Sequence, residues 1–349
     1  ASRPAVIKIS PDGTYALTKI NNDVYSVIIP KIGTTPSISL SKAESAAFPA
    51  SKLTIMGGEF PTWGSNSKKV HWSLGASHFV YDLEKGKAFA DTLAAEKKKK
   101  AKDKSKEKKT DKKPEETPMF KADEYQIKVG YKKATPKGTI LLKGGRIITM
   151  NGNQVIENGD VLIVNNRIQK VGASGSFTIP RGANMIDVSG KTITPGFVDT
   201  HAHMWPNWGV HKNQVWIYSA NLAYGVTTTR DPQTATTDVL TYADMVDAGM
   251  MHGPRVYSTG PGVGYWAYNI KNLKHAKNVL TQYSKYYNTK YIKMYVVGNR
   301  QQRQWVIKAS KELKLMPTTE GSLDFKMNMT QLIDGYPGHE HSFPIYPIY

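Results

Sequence analysis

The sequence predicts an α/β protein with an all-β front end: partial β-propeller blades, a small β-sandwich, then an incomplete (β/α)8 barrel. Three observations carry this. Up to about residue 90, short apolar runs alternate with turn signals. A glycine-punctuated, β-rich stretch follows a lysine-rich tract. After His203 the rhythm changes to strand and helix in alternation, the pattern of a parallel sheet or barrel. The expected domains are blades over 1–90, a Lys/Glu-rich loop or linker over 91–124, the β-sandwich over 125–192, and the first six β/α units over 193–349.

The 349 residues exceed the usual size of one domain. Net charge is +19, which invites an anionic partner. Part of that charge is local: residues 96–116 hold eleven Lys against six acids, and the interleaved acids dilute the field. No specific nucleic-acid partner is therefore expected. The absence of cysteine excludes disulfides and thiolate metal sites. No apolar run approaches the roughly eighteen residues of a membrane span. The chain begins at Ala1, which reads as a removed leader or a longer parent.

In the first region, Ala5–Ile9, Tyr15–Leu17 and Val24–Ile29 read as strands, separated by Ser10-Pro11-Asp12-Gly13 and Asn21-Asn22-Asp23 turns. The pattern returns at Phe60–Trp63, Lys69–Trp72 and His78–Leu83, which suggests two blades. An ordinary antiparallel sheet fits the same pattern. The tract at 91–117 has almost nothing to bury and reads as a charged helix or solvated loop. Strand signals resume at Tyr125–Val129 and continue through Thr139–Leu142, Arg146–Met150, Asp160–Val164 and Arg167–Val171, with Asn-Gly turns between them. Helices are expected near 213–224, 237–250, 271–287, 301–314 and 325–334. Strands are expected at Val226–Arg230, Arg255–Thr259, Tyr291–Val297, Leu315–Glu320 and Gly338–Ser342.

Chemistry concentrates where these strands end. Lys191–His203 reads KTITPGFVDTHAH: a β-branched run, a Pro-Gly turn, then an apolar strand ending in His201-Ala202-His203. Alternate residues of an extended strand share a face, so the two imidazoles can grip one ion, and borderline metals such as zinc favour such donors. Lys293 is a lone charge in an apolar strand; buried, it needs a partner. Beside a metal pair, such a lysine can take up carbon dioxide as a bridging carbamate. His339 and His341 form a second H-x-H and share a face if the segment is extended. Glu320 reads either as a carboxylate ligand or as a solvent-facing acid. Arg230 and Asp231 pair with each other or line the site's mouth. Ser258–Trp266 is glycine-rich but lacks the lysine and hydroxyl residue of a phosphate loop. It reads as an active-site loop with Tyr265 and Trp266 against substrate. His211, His252 and His275 read as bystanders.

The β-module followed by Ile186–Lys191 and Pro195–His203 resembles the amidohydrolase superfamily. The nearest group is the imidazolonepropionase-related amidohydrolases fused behind a TolB-type β-propeller, with the small sheet domain of the urease-α type. The resemblance implies one or two divalent metal ions, zinc first among them. It matches His201 and His203 to first-strand ligands, Lys293 to the carboxylated bridging lysine, and His341 to the sixth-strand ligand, with His339 competing. Two departures stand out. The fifth strand offers Thr318-Thr319-Glu320 where a histidine is usual, and the eighth-strand general-base aspartate has no counterpart. The expected activity is hydrolysis of a C–N bond in an amide, lactam or peptide-like substrate by metal-activated water. The rival reading is a catalytically impaired binding or assembly module. A homo-oligomer or companion chain completing the barrel, and a periplasmic or secreted location, are further expectations.

Overall fold

The computed structural model describes residues 4–34, 36–40, 42–103, 118–206, 209–264, 268–295 and 298–341. The chain divides into two compact units, one of residues 1–129 with 259–349 and the other of residues 130–258.

The first unit opens with β1 (Pro4–Ile9), β2 (Tyr15–Ile20), β3 (Asp23–Ile28) and β4 (Ala50–Lys52), an antiparallel sheet in chain order. The predicted Ser10–Gly13 turn closes its first hairpin. The Ser10 hydroxyl donates to Asp12 Oδ1 at 2.6 Å, and Gly13 takes a φ of 71° that a side chain would resist. A second antiparallel sheet contains β5 (Glu59–Trp63), β6 (Lys69–Leu74), β7 (Ser77–Asp82) and β8 (Asp123–Gln126). Strict alternation sends Val70, Trp72 and Leu74 of β6 and Phe79 and Tyr81 of β7 to one buried face. There Trp72 stacks on Phe79 with centroids 5.7 Å apart. Between β7 and β8 the chain runs through α1 (Leu83–Asp103) and the lysine-rich tract. The strand signal near Tyr125 therefore completes the second sheet, pairing Val80 with Asp123 and Ser77 with Gln126, and does not join the later β-module. Each predicted blade is a four-stranded meander in place of the expected three strands.

In the second unit, β9 (Thr139–Ile148), β10 (Val155–Val164), β11 (Arg167–Ala173), β12 (Asn184–Asp187) and β13 (Thr192–Ile193) form one five-stranded mixed sheet. The module predicted as a β-sandwich is thus a single sheet here. Buried Asp160 fastens its bends by accepting from the Gly144 and Gly175 N–H groups and the Ser174 hydroxyl. The chain then enters a parallel sheet of β14 (Phe197–Asp199), β15 (Val226–Asp231) and β16 (Arg255–Ser258), with α2 (Trp216–Ala223) and α3 (Asp238–Asp247) as crossovers. Met204, Val215, Tyr218, Val239, Tyr242 and Met251 form the core beneath it. Each such burial contributes about 1.5–3 kcal/mol.

Returning to the first unit, α4 (Leu273–Thr281) continues as a π turn over Gln282–Tyr286. Gln282 donates to the Met56 carbonyl, and Asn278 to that of Ile55 at 3.3 Å, tying this helix to the turn before β5. A second parallel sheet holds β17 (Tyr291–Met294), β18 (Met316–Thr319) and β19 (Gly338–His339), connected by α5 (Arg300–Leu313) and α6 (Phe325–Asp334). Asn299 and Gln302 form a capping box on α5, while Asp324 caps α6 and Gly335 ends it at a φ of 97°. Among the described residues no helix is long and apolar enough to cross a membrane.

Candidate metal-binding and catalytic residues

In the second unit the site begins where β14 stops. Asp199 pairs with Thr229 of β15 in parallel register, and its carboxylate accepts from the His201 backbone N–H at 2.9 Å. The Ala202 N–H donates to the Arg230 carbonyl at 2.9 Å, so the His-Ala-His segment stays alongside β15 after regular strand pairing ends. This brings the His201 and His203 rings edge to face, centroids 5.1 Å apart. His203 Nδ1 lies 3.0 Å from the Gln233 carbonyl oxygen. A carbonyl only accepts, so Nδ1 carries the proton and Nε2 keeps its lone pair. An N–H held by a backbone carbonyl, with the opposite nitrogen left as a donor, is how ligating histidines are commonly oriented.

Asp231, the last residue of β15, reads from sequence as a structural partner or rim residue. In the structure it is wholly buried and sits 3.9 Å from His203 Nδ1, accepting from the Gln233 N–H at 3.2 Å. Burial pushes its carboxyl up to about 7. A carboxylate in this position calls for a positive neighbour. Arg230 is half-buried on the same strand.

In the first unit, three candidates meet at the ends of β17 to β19. Lys293 is wholly buried, and its ammonium lies 2.7 Å from Glu320 Oε2. The other carboxylate oxygen, Oε1, is 2.9 Å from His341 Nε2. The counter-charge that burial of Lys293 demands is therefore Glu320, just past β18, with the Tyr295 ring 5.8 Å away on another side. Burial, then the Glu320 charge, pushes the Tyr295 hydroxyl up to about 12. His339 pairs with Thr319 in β19 and is half-buried, and burial lowers its pKa. The shared-face expectation for His339 and His341 required an extended segment. His341 instead takes a φ of 65°, so the chain bends after β19 and the alternation of faces ends.

Tyr265 and Trp266 lie outside the described residues. His211, read as a bystander, is hydrogen-bonded through Nε2 to Asp238 Oδ1 at 2.7 Å, and His275 sits in the capped first turn of α4. Among the described residues, no three or more His, Asp or Glu side chains are grouped around a common cation position.

Parallel strands joined by helices, with histidines and carboxylates near the strand ends, define a β/α scaffold. No family model matches the chain. A 65-residue stretch, 19% of the chain, is 43% identical to the adenine deaminase of Brucella abortus. A 75-residue stretch, 22% of the chain, is 36% identical to the dihydroorotase of Listeria welshimeri. The matches span 10% and 16% of those relatives' own lengths. Among solved structures, the chain is similar to a Xaa-Pro dipeptidase with bound methionine in the active site. That likeness has 16% identity and a TM-score of 0.48, covering 58% of this chain and 61% of that one. Phenylurea hydrolase B is similar at 18% identity and a TM-score of 0.47, covering 57% and 58%. At those scores neither structural likeness bears on the chemistry.

Proposed function

We propose that the chain is part of a metal-dependent amidohydrolase that cleaves a C–N bond in an amide, lactam or peptide-like substrate. The observation that carries the reading is the fixed tautomer of His203 beside His201, which leaves a ring nitrogen available at the end of a parallel strand. The stretches similar to adenine deaminase and dihydroorotase support it.

In this reading His201 and His203 hold a divalent cation, zinc first among candidates. Within the first unit, Lys293, Glu320, His339 and His341 are separate candidate ligands, with Lys293 a candidate for carboxylation. A bound cation supplies Lewis acidity toward a carbonyl and brings the ionisation of water near neutrality. The Gln233 carbonyl holds the His203 ring in place, with the buried Asp231 carboxyl 3.9 Å from its Nδ1. Glu320 fixes the Lys293 side chain and the His341 ring by its two oxygens. Propeller blades in β1–β8, a homo-oligomer or companion chain as partner, and substrate contacts from Arg230, Tyr265 and Trp266 belong to the same proposal.

One observation favours a binding or assembly module instead: Glu320 already serves as the counter-charge to Lys293 and lies against the His341 ring. Dialysis against a chelator, with zinc add-back afterwards, tests the choice on a panel of dipeptides and lactams. The enzyme reading expects hydrolysis to vanish and return. Chelator-insensitive hydrolysis contradicts the metal, and zinc uptake without hydrolysis of any substrate supports the assembly module.

A further inference from the structure

We propose that His71 and His78 form a second transition-metal site, on the open face of the β5–β8 sheet, for a borderline divalent cation such as zinc, nickel or copper(II). Neither residue belongs to the strand-end histidines discussed above, and the proposal does not depend on them.

Strand register brings the two histidines together. β6 and β7 pair His71 with Val80 and Ser73 with His78, so the two histidines are diagonal neighbours on one face. The opposite face carries the buried Val70, Trp72, Leu74, Phe79 and Tyr81. Both imidazoles therefore stand on the half-buried side, where water can reach a bound ion. The rings stack at 5.2 Å with 30° between planes, and His71 Nδ1 lies 3.0 Å from His78 Nε2. Two imidazole nitrogens bound to one tetrahedral zinc, each about 2.0–2.1 Å from it, lie about 3.3 Å apart. The pair needs to open by only a few tenths of an ångström to admit the ion.

In the metal-free protein one ring donates an N–H to the other's lone pair. To bind, the donating ring shifts its proton to its other nitrogen, so both facing nitrogens present lone pairs and no net proton is released. Position 64 helps to leave room for this rearrangement. A Cβ on Gly64 would lie 3.2 Å from His71 Nε2 and crowd the ring. Rigid strands on both sides pre-set the chelate, while water completes the coordination. The ion would clip the β6–β7 hairpin on the face that lacks a hydrophobic core.

The test is titration of the full chain with zinc chloride and nickel chloride in a His201→Ala/His203→Ala background. One equivalent of moderate-affinity binding is expected to persist there. His71→Gln or His78→Gln added to that background should weaken it by about tenfold or more. No binding in the background, or unchanged affinity in the added variants, would overturn the proposal. If a variant fails to fold, imidazole nitrogen NMR of the native chain decides: zinc should shift His71 Nδ1 and His78 Nε2 together, and signals that stay put refute the site.

Discussion

At the end of β14, His203 commits one ring nitrogen to a backbone carbonyl and keeps the other available. At the ends of β17 to β19, the Lys293 ammonium and the His341 ring each lie against one oxygen of the Glu320 carboxylate. The first group holds an oriented ring; the second is built around an internal ion pair. A cation arriving at the first finds a ring already turned to it. A cation arriving at the second must displace a buried ion pair. The contrast separates residues that can recruit a metal from residues that stabilise the fold until one arrives.

The largest expected effect breaks the second group. Glu320→Gln leaves the Lys293 ammonium buried without its counter-charge and should cost about 3–5 kcal/mol, read by urea denaturation. Lys293→Met combined with Glu320→Gln removes both charges while keeping the volume, and should recover most of that loss. If the single and double variants are equally unstable, the pair is not what holds the sheet ends together.

A smaller effect is expected at the first group. Asp231→Asn retains an acceptor for the Gln233 N–H but removes the charge near His203. Zinc affinity should fall by about 10- to 100-fold, the range for residues that orient a ligand, with circular dichroism unchanged. An unaltered affinity would restrict Asp231 to packing.

The smallest effect comes from a control away from both groups. Burial raises the Asp160 pKa, but hydrogen bonds from Gly144, Gly175 and Ser174 outweigh that and hold it below the usual carboxylate range. Its folded pKa is depressed, so its stabilisation is present above the unfolded value of about 3.9 and is lost as pH falls through the folded value. Asp160→Asn should remove about 1–3 kcal/mol near neutrality and flatten the acid limb of the stability curve, with zinc binding unaffected. An acid limb identical to the native chain's would assign acid sensitivity elsewhere.

Much of the β/α region was legible because its signals are local. The expected helices near 237–250, 301–314 and 325–334 correspond to Asp238–Asp247, Arg300–Leu313 and Phe325–Asp334, the last two with capping residues at their starts. The strand at Val226–Arg230 appears one residue longer, as Val226–Asp231. What sequence could not show depends on distant pairing. β8 joins β7 across the charged tract, and no local signal marks that partner. His341 adopts a positive φ without being glycine, so nothing local warns that the extended segment stops short of it. Asp231 reads as a partner of Arg230 or a rim residue because nothing in Arg-Asp-Pro reveals that its side chain is wholly buried near His203. The need of Lys293 for a partner was legible from its apolar strand; that the partner is Glu320 required the strands to be side by side.

The central claim is that His201 and His203 hold the cation, and a metal count tests it most directly. In a His71→Gln background, zinc retained after gel filtration should be close to stoichiometric in the otherwise native chain. It should be lost in His203→Ala at unchanged folded content. Equal zinc in the two proteins would contradict the account.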